Sequence, residues 1–450
     1  MNFTTEEIAG LLGSGHHGPA CRVDRVVIDP EQVRDGDGQL FAAFAHPQPL
    51  GDTTFVLEDD IAPHVPYLTE RWWVGGTAVN GPSTEVMVRA MAGDDRGRPT
   101  QCERVAVLGA VAPWVTAALV TAALGDGGAD HPLPAPGPSA HRERPGTERF
   151  RMPLALLNHA DDRPLTVVLN RRHRGCSGAD AALLDPTTAV ITDLGERHLA
   201  TLGRNGALDS TREVLDRLHP GATLVVTETV ADALRDEAEL DLTRWSALST
   251  FRVRTHQAEP SGCTVDAIGS WGEVTVEVGP DGAALALAVG AAVTAGIAAG
   301  CAPEALRESV GAAARAIAES MVVRLAEGPT VWDRSDATSV GDVSAAITAL
   351  ADRDATARFL VLGPLDDGPT VSDRLHARLG AQATEAGIVV RSADAWGSGA
   401  PFLEHPRVEA DDLAAAGLGA AHAGRGAVMD GRTVVVGGGV GAVGDLLLEP

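Results

Sequence analysis

Val105–Leu124, VAVLGAVAPWVTAALVTAAL, decides how the rest of the chain is read. Val105 to Leu108 is a short β-branched run, Gly109 follows at a turn, and the remainder is an apolar helix. That order outlines a strand–loop–helix in which backbone N–H groups and a helix N-terminus hold a polyphosphate. A working loop of this kind closes with Gly-Lys-Ser/Thr, the lysine on the β- and γ-phosphates and the hydroxyl on Mg²⁺. Here those positions read Ala112-Pro113-Trp114. Pro113 removes an N–H donor, and Trp114 brings an indole to where phosphate would lie. No lysine can reach in from elsewhere, because all 36 Lys/Arg residues are arginine. Gly109, Pro113 and Trp114 are therefore read as a degenerate nucleotide loop, with Trp114 packed as a plug. No cofactor and no metal are expected.

Working outward, 450 residues exceed one core and suggest about three domains. The net charge of −25 disfavours nucleic acid and anionic membrane surfaces as partners. Five widely spaced cysteines, none in a CxxC pair, fit a reduced cytoplasmic protein better than a disulfide framework or a zinc site. The polar, acidic start from Met1 to Gly10 is not that of a signal peptide. Gly282–Pro303 carries no charge and is long enough to span a bilayer, but it is mostly Ala and Gly without aromatic or basic flanks. We expect buried helices packed closely through small residues there.

Further strands are marked by LTVVL (Leu165–Leu169), TTAVIT (Thr187–Thr192) and ATLVVT (Ala222–Thr227), with helical stretches such as Ser210–Leu218 between them. The alternation predicts an α/β protein with a central, mostly parallel sheet flanked by helices. A smaller C-terminal α/β domain has strands at Thr330–Trp332, Arg358–Leu362 and Thr433–Val436, and helices at Ser344–Ala351 and Ser372–Ala386. The expected boundaries are 1–100, 101–320 and 321–450. Val23–Phe44 alternates apolar and polar residues before an Asp/Gly-rich turn, and Gly125–Glu148 is a Pro/Gly/His/Arg-rich insert. Gly439–Gly444 matches GxGxxG, yet only six residues follow, too few for a dinucleotide-binding βαβ unit.

In order, these pieces resemble the Mur ligases, the ATP-dependent amide ligases of peptidoglycan precursor synthesis, and most of all the branch that adds D-alanyl-D-alanine to a UDP-muramoyl tripeptide. The segment from Ile28 to Phe44, ending VRDGDGQLFAAF, is similar to the family's N-terminal motif. AVITDLGERHLATLG (Ala189–Gly203) is the best preserved piece. EGPTVWDRSDATSVGDVSAAITAL (Glu327–Leu350) and FLVLGPLDD (Phe359–Asp367), with LHARLG (Leu375–Gly380), look like the family's C-terminal passages. The resemblance implies a three-domain Mur-ligase-like architecture.

The departures fall on the chemistry. Where the family has a Mg²⁺-binding glutamate, this chain has Arg171, Arg172, His173 and Arg174, whose charge repels Mg²⁺. The family's lysine falls in Ser210-Thr211-Arg212-Glu213, and its C-terminal lysine becomes Gly437. Asp333 is retained, while its neighbours read Ser335, Asp336 and Thr338. His198, matching a metal-site histidine of the family, is kept beside Asp193 and Glu196.

Asp193, Glu196 and His198 form one candidate catalytic cluster, read alternatively as a loop kept for structure. Arg171, Arg172, His173 and Arg174, with Asp333, form a candidate ligand site for a carboxylate or phosphate, read alternatively as a solvated basic loop. His16-His17 and Cys176 are weaker candidates. Two function classes stay open for what the resemblance marks as a pseudoenzyme. One is a repurposed, ATP-independent protein acting on a small anionic, peptide-like or nucleotide-linked molecule, in biosynthesis and specialised metabolism. The other is a non-catalytic partner of an active ligase or a homo-oligomer, with a divergent amide ligase as a third reading.

Overall fold

Val105–Leu108, Ala189–Ile191 and Leu224–Val226 are almost wholly buried, as continuous apolar runs require when helices cover both faces of a sheet. They belong to strands β8 (Arg104–Leu108), β10 (Thr188–Ile191) and β11 (Thr223–Thr227). β9 (Leu165–Val168), β12 (Ala247–Ala258), β13 (Gly262–Gly269) and β14 (Gly272–Glu277) complete a seven-stranded sheet ordered β14-β13-β12-β11-β10-β8-β9. β8, β10, β11 and β12 pair in parallel, whereas β12, β13 and β14 form an antiparallel extension. The computed structural model describes residues 3–13, 15–17, 20–27, 39–42, 54–58, 78–81, 84–94, 102–109, 111–125, 150–159, 163–169, 173–195, 202–203, 205–219, 221–236, 242, 245, 247–258, 262–279, 282–324, 330–334, 339–351, 358–362, 369–392 and 433–437.

The uncharged Gly282–Pro303 stretch forms a short 3₁₀ turn at Gly282–Leu285 and one buried helix, Ala286–Ala298. The second helix starts only at Pro303 and is amphipathic through Ser320. Small residues do set the packing: a Cβ on Gly290 would lie 2.3 Å from Val253, and one on Gly296 would lie 2.3 Å from Leu306. Helix Ala286–Ala298 packs on helix Pro113–Leu124 and on the inner face of β12 and β13. Among the described residues no helix is long and apolar enough to cross a membrane.

At the C-terminal end, β15 (Val322–Arg324), β16 (Thr330–Arg334), β17 (Arg358–Leu362), β18 (Val389–Ser392) and β19 (Thr433–Gly437) form a second sheet ordered β15-β16-β19-β17-β18. It is parallel except for β15. Helices Val340–Ala351 and Pro369–Glu385 pack together beside it. The N-terminal part holds β4 (Arg25–Val27), β5 (Gln39–Ala42), β6 (Thr54–Glu58) and β7 (Ala78–Gly81), which run parallel, with β2 (His16–His17) antiparallel at the edge. β1 (Phe3–Thr4) and β3 (Arg22–Val23) make a separate pair. The chain is thus α/β, with a mostly parallel central sheet.

Two compact units emerge from the contacts. One comprises residues 1–104, 144–167 and 179–185; the other comprises 105–143, 168–178 and 186–450. The turn between β4 and β5, the insert after Gly125 and the Gly439–Gly444 motif lie outside the described residues.

Candidate functional site

The site is built where β8 and β10 end side by side, Leu108 opposite Ile191. Gly109 follows β8, and a Cβ there would sit 2.3 Å from Thr192 Oγ1 and 3.0 Å from Asp193 Oδ2. Only glycine lets the two strand ends approach this closely. The Thr192 N–H donates to the Leu108 carbonyl at 3.1 Å, and the Thr227 hydroxyl donates to the Thr192 carbonyl at 3.2 Å.

Asp193 points into the turn after β8. Its Oδ2 accepts from the Val111 N–H at 3.1 Å and from the Thr192 hydroxyl at 3.0 Å, while Oδ1 accepts from the Gly195 N–H at 2.8 Å. One residue later the Ala112 N–H donates to Asp342 Oδ1 at 2.5 Å. Ala112 is the N-cap of helix Pro113–Leu124, holds the left-handed conformation (φ 42°, ψ 50°) and offers no side-chain cap. Two N–H groups that a phosphate cradle would present are therefore donated to the chain's own carboxylates. Pro113 is buried, and Trp114 is half-buried against the core, filling apolar space beside the loop.

Asp342 arrives from the first turn of helix Val340–Ala351. Its Oδ2 accepts from the Ser339 hydroxyl at 2.8 Å, and its own N–H donates to Ser339 Oγ at 3.1 Å. Ser339 is fully buried and Asp342 is 2% exposed. The spacing Ser-x-x-Asp is a capping pattern readable in the sequence, so the helix start was within reach. The carboxylate's second partner, 230 residues away, was not.

The basic run is arranged differently. Arg171 and Arg172 lie outside the described residues, whereas His173 and Arg174 are exposed on a turn. Arg174 Nη2 lies 3.6 Å from Asp209 Oδ2 on helix Gly206–Leu215. From the same helix, Glu213 accepts from the Gly175 N–H at 2.6 Å and the Gly178 N–H at 3.3 Å, capping helix Cys176–Leu184. Ser210 and Thr211, where the resemblance places a lysine, are buried with hydroxyls that have no hydrogen-bond partner among the described residues. Glu196 and His198 are outside the described residues. Asp333 sits in β16 opposite Val436 of β19. His16 bonds Thr5 Oγ1 through Nε2 at 2.8 Å, and that oxygen also accepts from the Cys21 N–H, tying the edge of the N-terminal unit. Among the described residues no group of three or more His, Cys, Asp or Glu is placed to hold a metal ion.

No family profile matches the sequence, and no curated protein does. Solved structures do match. MurF from Acinetobacter baumannii aligns over 100% of this chain and 99% of its own, with TM-score 0.69 and 15% identity. MurF ligase from Thermotoga maritima, in complex with ADP, aligns over 95% of this chain and 96% of its own, with TM-score 0.66 and 15% identity. A pseudomurein peptide ligase type C from Methanothermus fervidus aligns over 87% of this chain and 85% of its own, at TM-score 0.52 and 11% identity. Over nearly all its length, the chain has the fold of the Mur ligases.

Proposed function

We propose that this chain has given up ATP-driven amide ligation and works without ATP, binding a small anionic, peptide-like or nucleotide-linked molecule. The observation that carries the reading is the loop after β8. Its Val111 and Ala112 N–H groups are donated to Asp193 and Asp342, and no lysine exists anywhere in the chain to hold a γ-phosphate. A γ-phosphate entering the loop would meet two carboxylates and an indole in place of donors, and like charges repel strongly where water is scarce. The relative from Thermotoga maritima, solved with ADP, gives the contrast.

What the proposed ligand meets instead is the exposed basic turn after β9. Arg174 is 72% exposed, and its 3.6 Å pair with Asp209 is a weak, solvent-screened one that a carboxylate or phosphate can replace. Arg171, Arg172 and His173 precede Arg174 in the sequence and take part with it in this reading, with His198 as the acid/base group. Calorimetric titration separates the parts of this reading. Millimolar Mg·ATP is expected to give no heat, and a response abolished by changing Val111–Trp114 would overturn the loss of ATP binding. UDP-N-acetylmuramoyl tripeptide is expected to bind without ATP and to bind about tenfold more weakly to Arg174→Ala, the loss of one charge-assisted contact. Equal affinity for both proteins would remove Arg174 from the site.

A further inference from the structure

Helix Pro113–Leu124 begins with proline, which removes one N–H, but with no side chain to accept those that remain. Its N-cap is alanine, no side chain caps it and its first turn holds no acidic residue. Such an end carries orphan donors and the positive end of the helix dipole, and it calls for an anion. The anion comes from 230 residues downstream. Asp342 accepts from the Ala112 N–H with one oxygen and from the Ser339 hydroxyl with the other. A buried carboxylate is tolerated only when its oxygens are well supplied with donors, and here they come from two separate helix starts.

We infer that Asp342 is an internal stand-in for the phosphate that such a loop would bind, an autoinhibitory latch joining the start of helix Pro113–Leu124 to the start of helix Val340–Ala351. The latch deepens the proposed loss of ATP binding and takes its functional meaning from it. It has two structural consequences. The loop stays closed whether or not any ligand is bound elsewhere. The cradle is filled rather than abolished, so removal of the carboxylate exposes a site for a small tetrahedral oxyanion.

The test compares full-length wild type with Asp342→Ala and Asp342→Asn at constant ionic strength, replacing chloride stepwise with sulfate and, separately, with inorganic phosphate. Asp342→Ala is expected to melt lower than wild type in chloride. It should then be raised by sulfate and by phosphate along a saturating curve, beyond the general salting-out effect that wild type also shows. Amide exchange in the peptide spanning 109–116 is read in parallel. It should quicken roughly tenfold in Asp342→Asn, which loses the charge and keeps the shape, while β11 exchanges as in wild type. Should Asp342→Ala fail to fold, the Asn variant and its exchange rates carry the test alone. Two results overturn the latch: unchanged exchange at 109–116 in Asp342→Asn, or equal stabilisation of variant and wild type by the oxyanions. Neither depends on ATP. Binding of Mg·ATP by wild type would instead defeat the proposed function while leaving the latch to be judged on its own.

Discussion

The chain leaves both β8 and β9 through a turn into a helix, and in both places a distant carboxylate accepts the first backbone N–H groups. After β8 the acceptors are Asp193 and Asp342, and Asp342 is buried. After β9 the acceptor is Glu213, and the turn it caps, His173–Gly175, is exposed. The same demand for an acceptor at a helix start is met once in the interior and once in solvent. Inside, the bond is strong and its loss leaves groups without water; outside, water replaces whatever is lost. Burial therefore sets which turn is fixed and which stays exposed to solvent.

The sharpest way to break this contrast is to remove the two acceptors. Asp342→Ala takes this acceptor from the buried Ala112 N–H and from the Ser339 hydroxyl, and should lower unfolding free energy by about 3 kcal/mol in urea titration. If Glu213→Ala costs as much, burial is not what separates the turns. Trp114 comes next. A fully buried Trp→Ala change costs about 3–5 kcal/mol, and this side chain is half-buried, so Trp114→Ala should cost about 2 kcal/mol in the same titration. A wild-type midpoint would mean that the indole fills no space that matters. Glu213→Ala itself should cost about 1 kcal/mol, the ordinary worth of a helix cap near solvent.

The smallest effect concerns a third carboxylate, on the antiparallel extension. Burial pushes Asp266 up, but the Thr275 hydroxyl, the bond and charge of His256 and the Arg254 guanidinium outweigh it and hold the carboxyl below its ordinary 3.8. His256 Nε2 lies 2.7 Å from Oδ2, and the Thr275 hydroxyl donates to Oδ1 at 2.8 Å. A depressed folded value contributes stability that is present above the unfolded value and is lost as pH falls through the folded one. Urea midpoints should therefore drop between pH 5 and pH 3 by more in wild type than in Asp266→Asn. Equal drops would show that Asp266 contributes nothing to acid sensitivity.

Much of the fold was legible because its central strands are unbroken apolar runs and its helices are either apolar throughout, as Pro113–Leu124, or two-faced, as Gly206–Leu215. Val105–Leu124 folds as read, and Arg358–Leu362 keeps its bounds. The helix read from Ser210 begins at Gly206, and the one read from Ser344 begins at Val340. The second start is placed by its Ser339 cap rather than by apolar period, whereas the first has no side-chain cap. Helix ends generally vary by a turn or less from what the pattern shows. The β12–β14 extension went unread, since its outer face carries Arg252, Arg254, His256, Glu273 and Glu277 and it lacks the long apolar run of a doubly covered strand. In the candidate site, Gly109 and Asp193 could be picked out locally. Asp342 could not, because its meaning depends on a residue in another part of the fold.

The carboxylates on this loop also bear on how it could be redesigned. Writing Gly-Lys-Thr over Ala112–Trp114 would bring a lysine ammonium close to Asp342, and the nearest negative charge would be the chain's own. Removing Asp342 as well would leave residue 112 without this acceptor, so two positions 230 residues apart are coupled in any redesign of the loop. Changes at the loop and at residue 342 are therefore expected to be non-additive in stability.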